Sequence, residues 1–307
     1  MKYRAWAFLI LCNLFWAGNM IFGKYSASDF PAVWIALLRW AIAVVILVPM
    51  AHFIEKPAWL RVWKDNWKII LLLSVTGVVI YNILTYSALR YTSSTNGALI
   101  NTLTPAMIML FSLIFMKVKL SGMKIAGMVV SFLGVLTVLT KGNLLQVFHT
   151  AYNKGDALMI VVILFWTVYS LLSKKAKHIP SITMIAMTAI VGVILMIPLL
   201  FTQPLDVSRI TPLGITGIIY LGLFPSVGSF IFWNQGMKML GPNTAGMTMN
   251  LIPIFTAIIA VFLGQQLVAS QFIGGLLVIG GMILTAGLFK WRPRARHVSA
   301  VPSSSKS

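Results

Sequence analysis

Acidic residues are scarce in this chain. Five Asp and Glu stand against 24 Lys and Arg, and charged residues of both signs make up only 9% of the sequence. A soluble domain carries about a quarter charged residues, so an ordinary water-facing surface is excluded. Cysteine is almost missing as well: Cys12 stands alone, which rules out an internal disulfide and any multi-cysteine metal site. The four histidines, His52, His149, His178 and His297, fall outside the long apolar runs. No H-E-x-x-H or G-x-S-x-G motif occurs, and no acid pair lies inside an apolar run, so a membrane-embedded enzyme fits poorly. No metal site and no cofactor are expected.

What remains is apolar. Hydrophobic residues are 59% of the chain and the mean hydropathy is +0.92. A helix needs roughly 20 apolar residues to cross a hydrocarbon core of roughly 30 Å. The 307 residues therefore hold about ten spans with short loops. Runs bounded by charges, Pro and Gly place them near 4–24, 31–51, 67–88, 95–116, 122–140, 155–173, 180–201, 212–235, 243–264 and 270–290. The fold class expected is all-α integral membrane. Lys2 and Arg4 ahead of an apolar run, with Ser26-Ala27-Ser28 as a weak cleavage site, imitate a signal peptide. Residues 14–24 have a counterpart in mid-chain, which argues for a retained first span.

The net charge of +19 would suggest nucleic acid in a soluble protein. Here it reads as topology, because cytoplasmic loops retain Lys and Arg. With the N-terminus inside, the inner loops collect Lys2, Arg4, Lys56, Arg61, Lys64, Lys68, Lys117, Lys119, Lys124, Lys174, Lys175, Lys177, Lys238 and the basic tail. The outer set is Lys24, Arg90, Lys141, Lys154 and Arg209. A cell-membrane protein with both termini cytoplasmic follows, its partners being the lipid bilayer and a small-molecule substrate rather than nucleic acid, as a monomer or homodimer. Residues 291–307, basic and Ser-rich, have no apolar face and are expected to be a disordered tail.

The chain repeats itself with a period near 150. Leu14-Phe15-Trp16 and Lys24 align with Leu164-Phe165-Trp166 and Lys174; Ala88-Leu89-Arg90 through Pro105 aligns with Gly236-Met237-Lys238 through Pro253; Gly127 and Gly134 align with Gly274 and Gly281. Two repeats follow, 5–141 and 155–290, joined by an outer loop at 142–154. Five spans per repeat is an odd number, so the second is inverted relative to the first, as in many secondary carriers with a midplane site between halves.

Several of these residues form a familiar set. Trp16-Ala-Gly-Asn19 leading to Lys24, Leu38-Arg39, Ala88-Leu89-Arg90-Tyr91-Thr92 ahead of Asn101 and Pro105, and the Gly127/Gly134 helix resemble the EamA-type drug/metabolite transporter superfamily. Phe165-Trp166, Gly236, Asn250, Pro253, Gly264 and Gly274 carry the same resemblance in the second half. It covers about residues 5–290 and implies a ten-helix permease, often an exporter of amino acids or other metabolites. One departure stands out: many members end the fourth helix of a module with Gly-Glu, where this chain has Gly264-Gln265 and, in the first module, Lys117 to Lys119.

Candidate site residues are the polar and aromatic side chains inside spans. Arg39 is the one basic group at depth, with no acid near it in sequence. It either contacts carbonyls as a structural group or faces a wet cavity and attracts an anion. Trp16 and Asn19 share a helix face, as do Trp166 and Tyr169. Tyr81, Asn82 and Tyr86 are echoed by Trp233, Asn234 and Gln235, and Asn101 and Asn250 precede Pro105 and Pro253. The set reads as a cavity lining, against the alternative of interhelical glue. Each proline removes a backbone donor within a span and disturbs the helix four residues back, near Asn101 and Met249, as a hinge or a static bend. The glycine pairs read as packing or dimer surfaces. With the acids at Asp29, Glu55, Asp65, Asp156 and Asp206 all in loops or span ends, gradient-driven export of a small metabolite, an amino acid for preference, is favoured over proton antiport. A membrane enzyme, a receptor or scaffold, and an open channel are the rivals.

Overall fold

A computed structural model describes residues 2–92, 97, 100–117, 121–149, 153–262 and 269–286. The basic tail and Gly264-Gln265 lie outside the described residues. Within them there is helix and no strand. The elements are α1 (Lys2–Asp29), α2 (Ala32–Met50, extended by a wide π-type turn Ala51–Glu55), α3 (Trp59–Tyr91), α4 (Thr104–Met116) and α5 (Gly122–Leu139). They continue as α6 (Lys154–Lys175), α7 (Ser181–Met196, tightening at Pro198–Thr202), α8 (Pro212–Leu240), α9 in two pieces (Pro242–Thr248 and Leu251–Phe262) and α10 (Ala269–Ala286).

Seven of these, α1, α2, α3, α5, α6, α7 and α8, are long and apolar enough to cross a membrane; Thr104–Met116 and Phe272–Thr285 are apolar but shorter. The expected count of ten crossings is therefore only partly reached among the described residues, since α9 is broken and part of the fourth run lies outside them. Boundaries shift too. The third helix begins at Trp59 rather than near 67, because Arg61, Lys64, Asp65 and Lys68 ride on the exposed side of a helix whose other side is apolar. Hydropathy averaging reads such an amphipathic extension as loop.

Acids hold helix starts. Asn153 and Asp156 form a reciprocal capping box at α6. Asp29, at the end of α1, accepts from Thr211 N at 3.0 Å and Thr211 Oγ1 at 2.5 Å, ahead of α8. Glu55, at the end of α2, accepts from Ile182 N at 3.1 Å, Thr183 N at 2.7 Å and Thr183 Oγ1 at 2.6 Å, at the start of α7. Asp206 caps a short turn through Ser208 N at 3.1 Å. Orphan N–H groups and the positive end of the helix dipole favour a carboxylate there. Asp65 alone caps nothing; it lies on the surface 3.7 Å from Arg61.

The helices pair in a pattern that survives exchange of the halves. Helix α1 packs on α8 as α6 packs on α3, α1 meets α9 as α6 meets α4, and α2 pairs with α7, α4 with α9 and α5 with α10. At α5–α10 the approach is backbone to backbone. A Cβ placed on Gly134 would lie 2.7 Å from the Gly274 carbonyl oxygen, and one on Gly274 2.6 Å from that of Gly134; Gly127 and Gly281 oppose each other in the same way. The glycine stripes are consumed by this internal contact.

Candidate functional site

Helices α3 and α8 each carry a wide π-type turn at matching places, Ser74–Ile80 and Gly222–Ser229. Such turns occur often at functional sites because they shift backbone groups off the regular ladder. Asn82 Nδ2 collects the displaced carbonyls of Gly77 at 3.1 Å and Val78 at 2.8 Å. In α8, Ser226 Oγ donates to Leu221 O at 2.8 Å, and Asn234 Nδ2 donates to Phe230 O at 2.8 Å and Tyr169 Oη at 3.0 Å. Gly77 makes room for the Tyr169 ring, since a Cβ there would collide with it.

Between the two turns lies Arg39, on α2 and only 2% exposed. Its Nε donates to Ser226 Oγ at 2.7 Å, and its Nη1 to Asn82 Oδ1 at 2.9 Å, Asn19 Oδ1 at 3.3 Å and Tyr86 Oη. Tyr86 Oη in turn donates to Asn19 Oδ1 at 2.9 Å. Every partner is neutral, and no described ion pair includes Arg39. Four helices, α1, α2, α3 and α8, thus hold a full positive charge without cancelling it. None of the four bonds uses Nη2. A buried charge of this kind is costly unless an opposite charge reaches it.

Next to Arg39 the aromatics close into one cluster. Trp166 has Trp16 at 5.0 Å between ring centroids, Trp233 at 5.5 Å, Tyr81 at 4.8 Å, Tyr169 at 5.1 Å and Phe230 at 5.6 Å. Trp40, the neighbour of Arg39, stands edge-on to Phe230 at 4.8 Å. The indole N–H groups of Trp40, Trp166 and Trp233 are buried with no hydrogen-bond partner, as is Asn234 Oδ1. An unmet buried donor costs about 1–3 kcal/mol, and three in one cluster indicate groups kept for something other than stability.

The structure sorts the sequence candidates. Trp16, Asn19, Tyr81, Asn82, Tyr86, Trp166, Tyr169, Trp233 and Asn234 converge with Arg39 on one centre between α1, α2, α3, α6 and α8. The other candidates do not join these contacts. Asn250 Nδ2 donates to Ser131 Oγ on α5 at 2.8 Å, Asn101 Oδ1 accepts from Thr104 Oγ1 at 3.2 Å, and Gln235 is half-buried on α8. Both prolines sit beyond true breaks rather than in bent helices. Pro105 lies in the first turn of α4 after a turn at Thr102–Leu103, where its missing N–H is harmless. Pro253 follows the break at Met249–Asn250. Sequence reasoning missed Trp40, Ser226 and Phe230. The Arg39-Trp40 pair was a readable signal, whereas Ser226 has only Pro225 beside it.

A separate cleft of about 570 Å³ opens beside α4, α5 and α6, lined by Ile100, Leu103, Phe132, Leu136, Phe148 and Asp156 among others. Asp156 is 2% exposed there, more buried than a loop position implies, and both its oxygens are engaged, by Thr92 Oγ1 and by Asn153 N at 2.8 Å.

Comparison with known proteins agrees with the duplication. The model of the EamA-like transporter family matches residues 4–140 and again 153–287. The chain is 28% identical over 284 residues to the uncharacterized transporter YyaM of Bacillus subtilis (strain 168), covering 91% of this chain and 92% of that one. It is 22% identical over 290 residues to a probable terminal-alkyne amino-acid exporter of Streptantibioticus cattleyicolor, covering 92% and 93%. A solved crystal structure superposes with a TM-score of 0.74 at 18% identity, over 92% of this chain and 96% of the other, which shows a shared fold.

Proposed function

This chain belongs to the EamA-like transporter family, and we propose on that premise that it carries a small molecule with an apolar body and an anionic group, an amino acid being the best fit, across the cell membrane. The family and its relatives are transporters, not enzymes, and the chain is a membrane protein with a small-molecule substrate. The carrying observation is Arg39: a buried guanidinium held by four neutral partners, with Nη2 unused, against an aromatic cluster that contains unmet indole donors. A carboxylate placed there satisfies the charge and accepts from an indole, while the rings receive an apolar side chain.

The route is alternating access between two inverted five-helix repeats, with both termini cytoplasmic and export as the working direction. The exchange-symmetric helix pairing supports two equivalent halves, and similarity to the probable terminal-alkyne amino-acid exporter supports the substrate class. Four of the five acids are spent on capping, the buried Asp156 with both oxygens engaged, which favours gradient-driven transport over proton antiport. The protein acts as a monomer or homodimer, and the internal use of the glycine stripes disfavours a dimer built on them.

The test is counterflow in liposomes loaded with unlabelled amino acids. Wild-type protein exchanges a labelled amino acid, and Arg39→Leu loses exchange by at least about 100-fold, of the order of an uncompensated buried charge interaction, while remaining folded because Tyr86 still donates to Asn19 and Asn82 still holds the Gly77 and Val78 carbonyls. Exchange by Arg39→Leu at the wild-type rate, or uphill accumulation by wild type on a pH gradient alone, overturns the reading.

A further inference from the structure

The ends of α2 and α7 are joined twice, once at each face of the helical bundle. At one face Glu55 closes the end of α2 onto the start of α7 through Ile182 N, Thr183 N and Thr183 Oγ1, at 3.1, 2.7 and 2.6 Å. At the other, Gln203 just past the end of α7 closes onto the start of α2: its Oε1 accepts from Val33 N at 3.5 Å, and its backbone carbonyl accepts from Trp34 Nε1 at 2.9 Å. Helices α2 and α7 both start after a proline, Pro31 and Pro180, and each carries a second proline, Pro49 and Pro198, at the same distance along. Glu55 and Gln203 are thus equivalent residues of the two halves, offset by the extra residue that the wide turn Ala51–Glu55 inserts.

The neighbouring contacts match as well. Lys238, near the end of α8, donates to Ile179 O at 2.6 Å, just ahead of Pro180; Arg90, near the end of α3, donates to Phe30 O at 3.1 Å, just ahead of Pro31. His178 meets Asn66 Oδ1 on α3 at 2.7 Å, as Asp29 meets Thr211 ahead of α8 at 3.0 Å. Each face therefore has the same three ties between the same kinds of helix ends. Both sets are formed here, and Trp16, Trp166, Tyr169, Phe230 and Trp233 between them are buried.

We propose that these two sets are the two gates of the transport cycle, and that Glu55 against Gln203 is the residue difference that sets which gate opens more readily. The proposal rests on the alternating-access reading above. The physical difference is one of charge. The carboxylate accepts three short bonds at the positive end of α7, where the Gln203 amide accepts one long one at the start of α2. Bonds to an ionised acceptor are roughly twice as strong as neutral ones; the Glu55 face has three of them, all to Glu55 across α2 and α7, and the Gln203 face two, both to Asp29 ahead of α8, so the α2–α7 tie is the tighter at the Glu55 face and the Gln203 face opens first.

Spin labels on the full chain in lipid nanodiscs read both gates without any substrate. One pair, Lys56→Cys with Lys177→Cys, spans the Glu55 face; another, Ser28→Cys with Ser208→Cys, spans the Gln203 face. Cys12 is wholly buried and stays unlabelled. The expected result is a second, longer distance across the Gln203 face in the parent protein and a single short one across the Glu55 face. Glu55→Gln should raise the open population of its own face about tenfold, and Gln203→Glu, which adds a carboxylate instead of removing one and so guards against misfolding, should lower that of the other face by a similar factor. Faces that open but keep the same populations in both variants overturn the gate assignment. A single short distance at both faces in every variant, with active protein, overturns the alternating-access reading as well.

Discussion

Arg39 shows how far one residue can be read before its surroundings are known. Its depth and the lack of a nearby acid were plain in the sequence, but a structural guanidinium and a substrate-facing one look identical there. The structure supplies only neutral partners, Ser226, Asn19, Asn82 and Tyr86. The distinction can be forced by Asn82→Asp, which installs a counter-ion where Asn82 Oδ1 now stands, 2.9 Å from Nη1. A purely structural arginine would keep its function and gain stability from the partner. A substrate-binding one is neutralised: exchange of an amino acid should fall at least about tenfold, with an unchanged or higher melting temperature. Transport at the parental rate with higher stability would return Arg39 to a structural role. The same logic separates Asn250, which the recurrence of polar residues placed in the lining, from the centre, because its Nδ2 donates to Ser131 on α5 and none of its described bonds reaches the Arg39 cluster.

At the scale of elements, glycine spacing was legible and its purpose was not. Two turns between Gly127 and Gly134, and between Gly274 and Gly281, fix a smooth stripe, but a stripe serves a neighbouring helix or a second copy equally well. The fold turns α5 and α10 toward each other so that each glycine faces a backbone carbonyl of the other helix. Gly134→Leu should therefore cost about 1–3 kcal/mol by overpacking, seen as a lower melting temperature in detergent, while exchange per folded molecule stays within about twofold and the molecular mass by light scattering is unchanged. A shift in mass would assign the stripe to an oligomer. The breaks at Thr102–Leu103 and Met249–Asn250 teach a related lesson. Proline chemistry located them to within a residue or two, but whether the chain bends or parts there depends on what the freed carbonyls meet in the neighbouring helices.

For the whole molecule, the excess of Lys and Arg in alternate loops gives a direct expectation of sidedness. In intact cells an impermeant maleimide should label Ser208→Cys, on the Gln203 face, and leave Lys177→Cys unlabelled until the membrane is permeabilised. The opposite pattern would invert the orientation and place the Glu55 face outside. The helix pairing itself has no counterpart in any local pattern. That α2 meets α7 and α5 meets α10 is a property of two repeats folding on each other.

Composition and periodicity alone determined that this chain lives in lipid as helices, that it is duplicated, and which polar and aromatic side chains are too expensive in a membrane to be there without cause. Those conclusions depend on transfer free energies and on the helical repeat, both of which are local. Tertiary structure decided which of those side chains meet, which carbonyls and helix ends the acids satisfy, and that Glu55 and Gln203 stand at the same place on opposite faces. Contacts between residues far apart in the chain depend on how two halves close around a common centre, and no window of sequence contains both sides of such a contact.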